Sequence, residues 1–325
     1  MNRKTIFNLL KIIVSLALII LIWRSIDLNA LKTVLLNANL AWLGATLVLV
    51  FTGVVIRARR WQVLLDVFKV GVSLKELTLI YLIGFAFNNI LPSGVGGDAI
   101  RMVELNRYTS RASDAVTSVI VERFLGLYGS LVLGFVTLLF TWRVVPPQIA
   151  LVLLVVFIGI TGIGVALMYE PLYRLLRRIG PVRKVTDIGF ISSLFDSFQQ
   201  YNGRALLRAF AVGLVFNVVL IGINVTIGLA LGINMSLAYY VLFVPLVAVT
   251  LALPISFAGL GPREGTYIFL FGQVGVPGEI ALALSLLVYI FGNLTPGLVG
   301  GAIYLWRGAR DLQVAKDELP ITNDE

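Results

Sequence analysis

The sequence predicts an all-α polytopic membrane protein with about six full spans and two re-entrant or broken helices. Three observations lead there. Of the 325 residues, 58% are hydrophobic and 13% charged, more apolar material than a soluble domain of this size can hide beneath a polar exterior. The apolar residues gather in runs at 6–23, 40–56, 77–91, 117–140, 149–169, 205–231, 238–257 and 279–305, with a shorter one at 266–275. Several approach the length that crosses about 30 Å of hydrocarbon. The runs contain glycine and lack strand-like alternation, which favours helices.

Taken in order, the chain opens MNRKTIFNLLKIIVSLALIILIW, a basic head and an apolar run without a small-x-small cleavage site. This reads as an uncleaved first span. Counting Lys and Arg by loop then tests the topology, because short cytoplasmic loops collect positive charge. Stretch 57–76 carries five (Arg57, Arg59, Arg60, Lys69, Lys75), 98–116 three (Arg101, Arg107, Arg111), 141–148 one (Arg143) and 170–208 seven, while 232–237 has none. Eight plain spans force 98–116 and then 170–208 outside. If 77–91 instead enters from the cytoplasm and turns back at LPSGVGG, the basic stretches all fall inside.

The same irregularity recurs at 251–265, LALPISFAGLGPREG, again an apolar run, Leu-Pro, glycines and then charge. A second re-entrant element there brings the basic tail inside. Each half then has two spans, a re-entrant element and a further span. Three crossings per half is odd, so the second half is inverted relative to the first, the plan of many secondary transporters whose broken helices meet near the midplane. The expected organisation is one transmembrane domain over 1–310, with halves 1–145 and 146–306, and a polar tail at 311–325. Eight plain spans with a few rule violations remain the alternative.

With neither histidine nor cysteine in the chain, Ser-His-Asp catalysis, His-based metal sites, disulfides and thiolate chemistry are excluded. No cofactor, no metal and no enzyme activity are expected. The net charge of +9 belongs to cytoplasmic loops under the positive-inside rule, so no nucleic-acid partner is expected.

Candidate residues cluster at the breaks. Pro92 interrupts the helix, and Gly94, Gly96 and Gly97 let the backbone turn tightly and leave N–H groups uncovered. A helix starting near Asp98 then either holds an anion such as a lipid phosphate or is merely capped by Asp98. Glu122 and Arg123 lie in or near the start of an apolar run, where ionisable residues are expensive. Neighbours on a helix do not face each other, so Glu122 is expected to pair with Arg101 and Arg123 to meet a phosphate, unless both snorkel to water. At the second break, after Pro254, Gly259 and Gly261, Arg263 suits bidentate phosphate recognition. Glu264 would either hold it or act as a proton-linked switch; an exposed loop pair is the plainer reading. Asn88, Asn89, Asn217, Asn224 and Asn293 are read as interhelical hydrogen-bonding residues. Glycines 159–164 and 292–301 are read as close-packing surfaces, and Trp23, Trp42, Trp61, Trp142 and Trp306 as interfacial anchors.

With LPSGVGGDAIR, then Val121-Glu122-Arg123-Phe124, then GLGPREG in order, the chain resembles the transmembrane flippase domain of the lysylphosphatidylglycerol synthase family. The resemblance covers nearly the whole chain and marks Pro92, Gly96, Gly97, Asp98, Arg101, Glu122, Arg123, Gly259, Gly261, Arg263 and Glu264 as candidate positions. Bifunctional members add a soluble aminoacyl-transfer domain. Only about twenty polar residues follow Trp306 here, so the chain reads as a stand-alone member. The resemblance implies movement of a phospholipid or lipid-linked substrate between leaflets, with Arg101, Arg123 or Arg263 at the phosphate and Asp98, Glu122 or Glu264 as a proton carrier. The expected site is the plasma membrane, with both termini cytoplasmic. The alternative is a membrane adjunct of a lipid-modifying enzyme, such as a lipid glycosyltransferase or aminoacyl transferase. A third reading is an ion channel or solute carrier.

Overall fold

The computed structural model describes residues 26–90, 96–109, 111–143, 145–176, 195–252 and 260–317, with side chains as far as Gly308. Segment 6–23, Trp23, Pro92, Gly94, Pro254 and Gly259 lie outside the described residues. So does most of the basic stretch beyond Leu176.

The protein is an all-α polytopic membrane protein. A short helix α1 (Leu28–Leu36) is capped by the Asp27 carboxylate, which accepts from the N–H groups of Asn29 and Ala30. Asn39 does the same for α2 (Leu40–Leu65) through Ala41 and Trp42. At 26 residues and 1.5 Å per residue, α2 is about 39 Å long, more than a bilayer core. Then come α3 (Leu74–Ile90) and α4 (Gly96–Leu105), followed by α5 (Ala112–Thr141), α6 (Pro147–Met168) and the short α7 (Glu170–Leu176). The second part holds α8 (Gly203–Ala230), α9 (Leu237–Ala252), α10 (Pro262–Gly272) and α11 (Gly278–Tyr289). A π-helical turn (Ile290–Leu294) leads without a break into α12 (Thr295–Asp317).

Among the described residues five helical stretches are long and apolar enough to cross a membrane: Leu40–Phe68, Ala112–Thr141, Pro147–Met168, Gly203–Ala230 and Gly278–Gly308. These coincide with the full spans expected after segment 6–23. The other two apolar elements are hairpins. Helix α3 has 17 residues and α4 only 10, about 25 Å and 15 Å, and α4 runs back along α3. Arg101 on α4 stacks on Tyr81 of α3, and beyond α4 the Tyr108 hydroxyl donates to Glu76 at the start of α3, 3.2 Å away. The hairpin therefore enters and leaves at one end of the bundle. Helices α9 and α10 repeat this: Tyr240 and Phe243 near the start of α9 pack edge-on against Phe271 near the end of α10.

Glycine makes the first hairpin possible. A Cβ on Gly97 would stand 2.1 Å from the Gly84 carbonyl oxygen and 2.6 Å from the Asn88 amide group, so no other residue fits between α4 and α3. The hairpin also leans on α12, where a Cβ on Gly300 would fall 1.8 Å from the Leu82 carbonyl oxygen and one on Gly297 would fall 2.2 Å from Asn89 Nδ2. The close-packing role read for 292–301 is thus seen at these two positions. It fails for most of 159–164: Gly164 meets Phe124, but a Cβ on Gly159 or Gly162 would meet nothing within 4 Å among the described residues. Helix α6 presents Ile158 and Ile163 outward, a face apolar enough to need no closer neighbour in lipid.

The two parts of the chain interlock. Helices α2 and α8 lie antiparallel along their whole length. The Asn39 N–H donates to the Ala230 carbonyl at 2.9 Å, Thr46 and Thr226 share a hydrogen bond of 2.8 Å, Gly53 meets Phe216 and Val219, and Gly213 meets Arg60. Around this axis the contacts cross over: α3 of the first hairpin packs on α12, and α9 of the second packs on α5.

Candidate functional site

A buried carboxylate, Glu122, lies where α2, α3, α4 and α5 meet. Helix α2 presents Arg57, Arg60 and Trp61 at i, i+3 and i+4, one face of a helix. Helix α5 presents Ser118 and Glu122, one turn apart. The Trp61 indole N–H donates to Ser118 Oγ at 2.9 Å, which registers the two helices. Arg60 then reaches Glu122 Oε1 through Nε (3.2 Å) and Nη2, and the Tyr81 hydroxyl of α3 donates to the same oxygen. Arg101 of α4 donates Nη2 to Glu122 Oε2 at 2.8 Å and Nη1 to Asp98 Oδ1 at 3.2 Å. The second Asp98 oxygen meets Arg123. Arg60, Arg101 and Glu122 are 3%, 3% and 1% exposed.

Aromatic rings complete the site. The Arg101 guanidinium lies 3.7 Å from the Tyr81 ring centroid and 4.2 Å from that of Trp61. Arg57 is flanked by Tyr81, Phe85 and Phe216 at 5.2, 5.3 and 5.2 Å, and Arg60 by Phe216 at 5.7 Å. Among the described residues three buried guanidinium nitrogens have no acceptor: Arg57 Nε, Arg60 Nη1 and Arg101 Nε. Buried donors are nearly always paired, so three in one cluster make these arginines the candidate site.

The second break is built differently. Gly261 has φ +88°, a conformation that favours glycine, and its N–H donates to Glu264 Oε2 at 2.7 Å. The other Glu264 oxygen accepts from Arg263 Nε at 3.0 Å and from Nη2. Arg263 lies 4.3 Å from the ring of Tyr289. Tyr289 in turn donates its hydroxyl to Asn89 Oδ1 at 3.0 Å, and Asn89 Nδ2 donates to the Asn293 carbonyl at 3.1 Å inside the π-helical turn. The end of α3 and the start of α10 therefore meet at one tyrosine, Asn89 at its hydroxyl and Arg263 against its ring.

The structure thus brings Asp98, Arg101, Glu122 and Arg123 together and leaves Arg263 and Glu264 as a separate pair reached through Tyr289 and Asn89. Asp98 bonds arginines of α4 and α5, and Gly96 opens the helix two residues earlier than expected. Gly97 donates its N–H to Asn88 Oδ1 at 2.8 Å, so that amide is already satisfied. Arg263 and Glu264 are buried, against the reading of an exposed loop pair. Asn88, Asn89, Asn217 and Asn224 bond between helices as expected: Asn217 donates to the Gly126 carbonyl on α5 at 3.2 Å, and Asn224 accepts from Tyr267 on α10 at 2.6 Å; Asn293 takes part through its backbone carbonyl.

Sequence reasoning missed Arg57, Arg60, Trp61, Tyr81 and Tyr289. The arginines were counted as loop charges because the apolar run from Leu40 weakens there. A span that must reach about 20 residues already carries Arg57 and Arg60 on its last turns. Trp61 is fully buried rather than an interfacial anchor, whereas Trp42, Trp142 and Trp306 are exposed. Nothing local to Tyr289 announces its role.

The family described as the lysylphosphatidylglycerol synthase TM region matches residues 8–300. A UPF0104 membrane protein of Pyrococcus horikoshii is 24% identical over 322 residues, covering 90% of this chain and 94% of its own. Another, from Methanocaldococcus jannaschii, is 29% identical over 127 residues, 38% of each chain.

Proposed function

Starting from a chain that belongs to the lysylphosphatidylglycerol synthase transmembrane-region family, we propose that it moves a phospholipid or lipid-linked substrate between the leaflets of the plasma membrane. The observation that carries this reading is the buried arginine cluster with three unaccepted guanidinium nitrogens on the flank of a helical hairpin. Arginine offers a planar fork that matches phosphate, and the surrounding apolar spans suit acyl chains. The interlocked packing of α3 on α12 and α9 on α5 supports halves 1–145 and 146–306 as an inverted repeat. Rocking one against the other would open the cluster to each leaflet in turn. Both termini lie in the cytoplasm under this reading, since the basic stretches 57–76, 98–116 and 170–208 then share one side.

The test is a leaflet-resolved assay in proteoliposomes with head-group-labelled phospholipids, comparing wild type with Arg123→Ala. Arg123 is 49% exposed and its partner Asp98 keeps Arg101, so the variant is compared after its folding is checked by thermal melting. Movement in wild type and a clear loss in the variant is the expected result. No movement of any tested lipid by a folded, reconstituted protein defeats the reading and favours an adjunct of a lipid-modifying enzyme.

A further inference from the structure

Resting on the lipid-transport reading, we propose that residues 195–201 are a gate. They form a wedge at the end of the bundle that this reading places in the cytoplasm. Seated, the wedge closes the way to the Arg60–Glu122 pair, and it leaves its seat each time a lipid passes.

The wedge lies between α7 and α8, is helical from Phe195 to Gln199 and exposes Asp196, Gln199 and Gln200. Ser197, Phe198 and Tyr201 are only 4%, 3% and 7% exposed. Rings hold it. Phe195 stacks on Tyr173 of α7 at 3.9 Å, Phe198 meets Phe124 of α5 edge-on at 5.1 Å, and Tyr201 meets Phe68, just past α2, at 5.4 Å. Two side-chain hydrogen bonds join it to the spans: Ser197 Oγ donates to Thr117 Oγ1 of α5 at a long 3.4 Å, and Gln199 Nε2 donates to the Leu167 carbonyl of α6 at 3.0 Å.

What the wedge covers gives it a role. Phe198 and Tyr201 pack with Leu64, Val121, Leu125, Leu206 and Ala209 in one buried cluster. Leu64 stands one turn beyond Arg60 on α2. Val121 precedes Glu122 on α5 and Leu125 lies one turn past it. Ala209 stands one turn before Gly213, the residue of α8 against which Arg60 lies. One apolar layer therefore separates the wedge from the Arg60–Glu122 pair. Both members of that pair are buried, so a head group reaches them only after an element moves.

The seat of the wedge is imperfect. The Tyr201 hydroxyl is buried without a hydrogen-bond partner among the described residues. Burial and the Asp114 carboxylate both push its pKa up, so it remains a donor with nothing to donate to. A buried donor left unmade opposes the seated state, and ring contacts part without stranding a charge. Elements that open and close in a working cycle are drawn from such weakly held parts.

The experiment locks the wedge and watches it separately from lipid. The chain has no cysteine of its own, so introduced thiols report alone. Thr117→Cys with Ser197→Cys places two sulfurs where hydroxyls stand 3.4 Å apart, within reach of a disulfide after a small shift. In proteoliposomes, oxidation should slow movement of head-group-labelled phosphatidylglycerol and phosphatidylethanolamine by at least about tenfold relative to the same protein reduced, and reduction should restore it. A fully crosslinked protein that moves lipid at its reduced rate overturns the gate and leaves transport standing. A folded pair that forms no crosslink overturns the seat itself. In nanodiscs, Ser197→Cys alone is expected to react with a membrane-impermeant maleimide. Adding Tyr201→Phe should slow that reaction severalfold and raise the melting midpoint, because the unmade donor is gone. No reaction at all, an unchanged rate or a lower midpoint with Tyr201→Phe each overturns the proposal. Reaction as expected in a protein that moves neither lipid, oxidised or reduced, defeats the transport reading and leaves the opening of the wedge standing.

Discussion

In each hairpin the returning helix starts at a glycine and carries an arginine that bonds an acid, yet the two place that pair in opposite ways. In the first, Arg101 reaches off its own helix to Glu122 on α5, which Arg60 of α2 and Tyr81 of α3 also hold. In the second, Arg263 bonds its own neighbour Glu264, and that acid also closes the start of α10 through the Gly261 N–H. The first pair joins four helices and carries surplus positive charge; the second is locally balanced. A ligand anion can therefore compete with Glu122 for donors at the first site, whereas at the second it would have to unseat a helix cap. On the proposed reading, a shared sequence pattern at two breaks holds one binding site and one structural corner.

The strongest way to break this comparison is to remove the two acids in turn. Glu122→Gln leaves Arg60 and Arg101 buried beside a neutral amide, and breaking a buried pair from one side costs about 3–5 kcal/mol. Glu264→Gln removes an acceptor from Arg263 but keeps a polar group near the Gly261 N–H, for a cost of about 1–3 kcal/mol. Thermal melts in detergent should show the larger drop for Glu122→Gln. Equal drops would mean that the second corner is as deeply coupled as the first.

Next in size is Gly97→Ala. A methyl group 2.1 Å from the Gly84 carbonyl oxygen must push α4 off α3, and overpacking of this kind costs about 1–3 kcal/mol or more. Because Arg101 is carried by the same helix, its contact with Tyr81 should loosen as well. Crosslinking between cysteines placed at Glu76 and Tyr108 reports the displacement, and an unchanged yield would show that the hairpin tolerates it. The matching change in the second hairpin, Gly261→Ala, forces an alanine to a φ of +88°, at about 1–2 kcal/mol.

How much of this was legible beforehand follows from which forces act locally. Hydrocarbon thickness and the sidedness of Lys and Arg constrain each segment on its own. The spans and both hairpins could therefore be read from the apolar runs, the Leu-Pro-Gly breaks and the charges of 57–76 and 98–116. The pairing of Glu122 with Arg101 was legible because a buried acid needs a cation and Arg101 follows the nearest break. Arg60 and Tyr81 were not, because their contribution depends on how α2 and α3 are rotated about their axes, which only the packing against α8 and α12 decides. Trp61 misled for the same reason: tryptophan near a segment end is commonly an anchor, but here its face turns inward to Ser118.

Tyr289 offers the finest test, because it touches both hairpins with different chemistry. Its ring lies against Arg263, and its hydroxyl bonds Asn89 at the end of α3. Tyr289→Phe keeps the ring and removes the bond, so stability should fall by only about 0.5–1.5 kcal/mol. Transport should respond differently if the two hairpins move against each other at this contact. Losing the tether frees Asn89 and with it the π-helical turn through the Asn293 carbonyl, the kind of local helix defect often found at functional positions. The expected outcome is a change of severalfold in lipid movement with a nearly unchanged melting midpoint, read in the same proteoliposomes. Tyr289→Leu, which removes ring and hydroxyl together, should add a loss of stability as Arg263 loses its stacking partner. If Tyr289→Phe leaves the rate as it was, the two hairpins do not communicate through this tyrosine, and the first hairpin works with its arginine cluster alone.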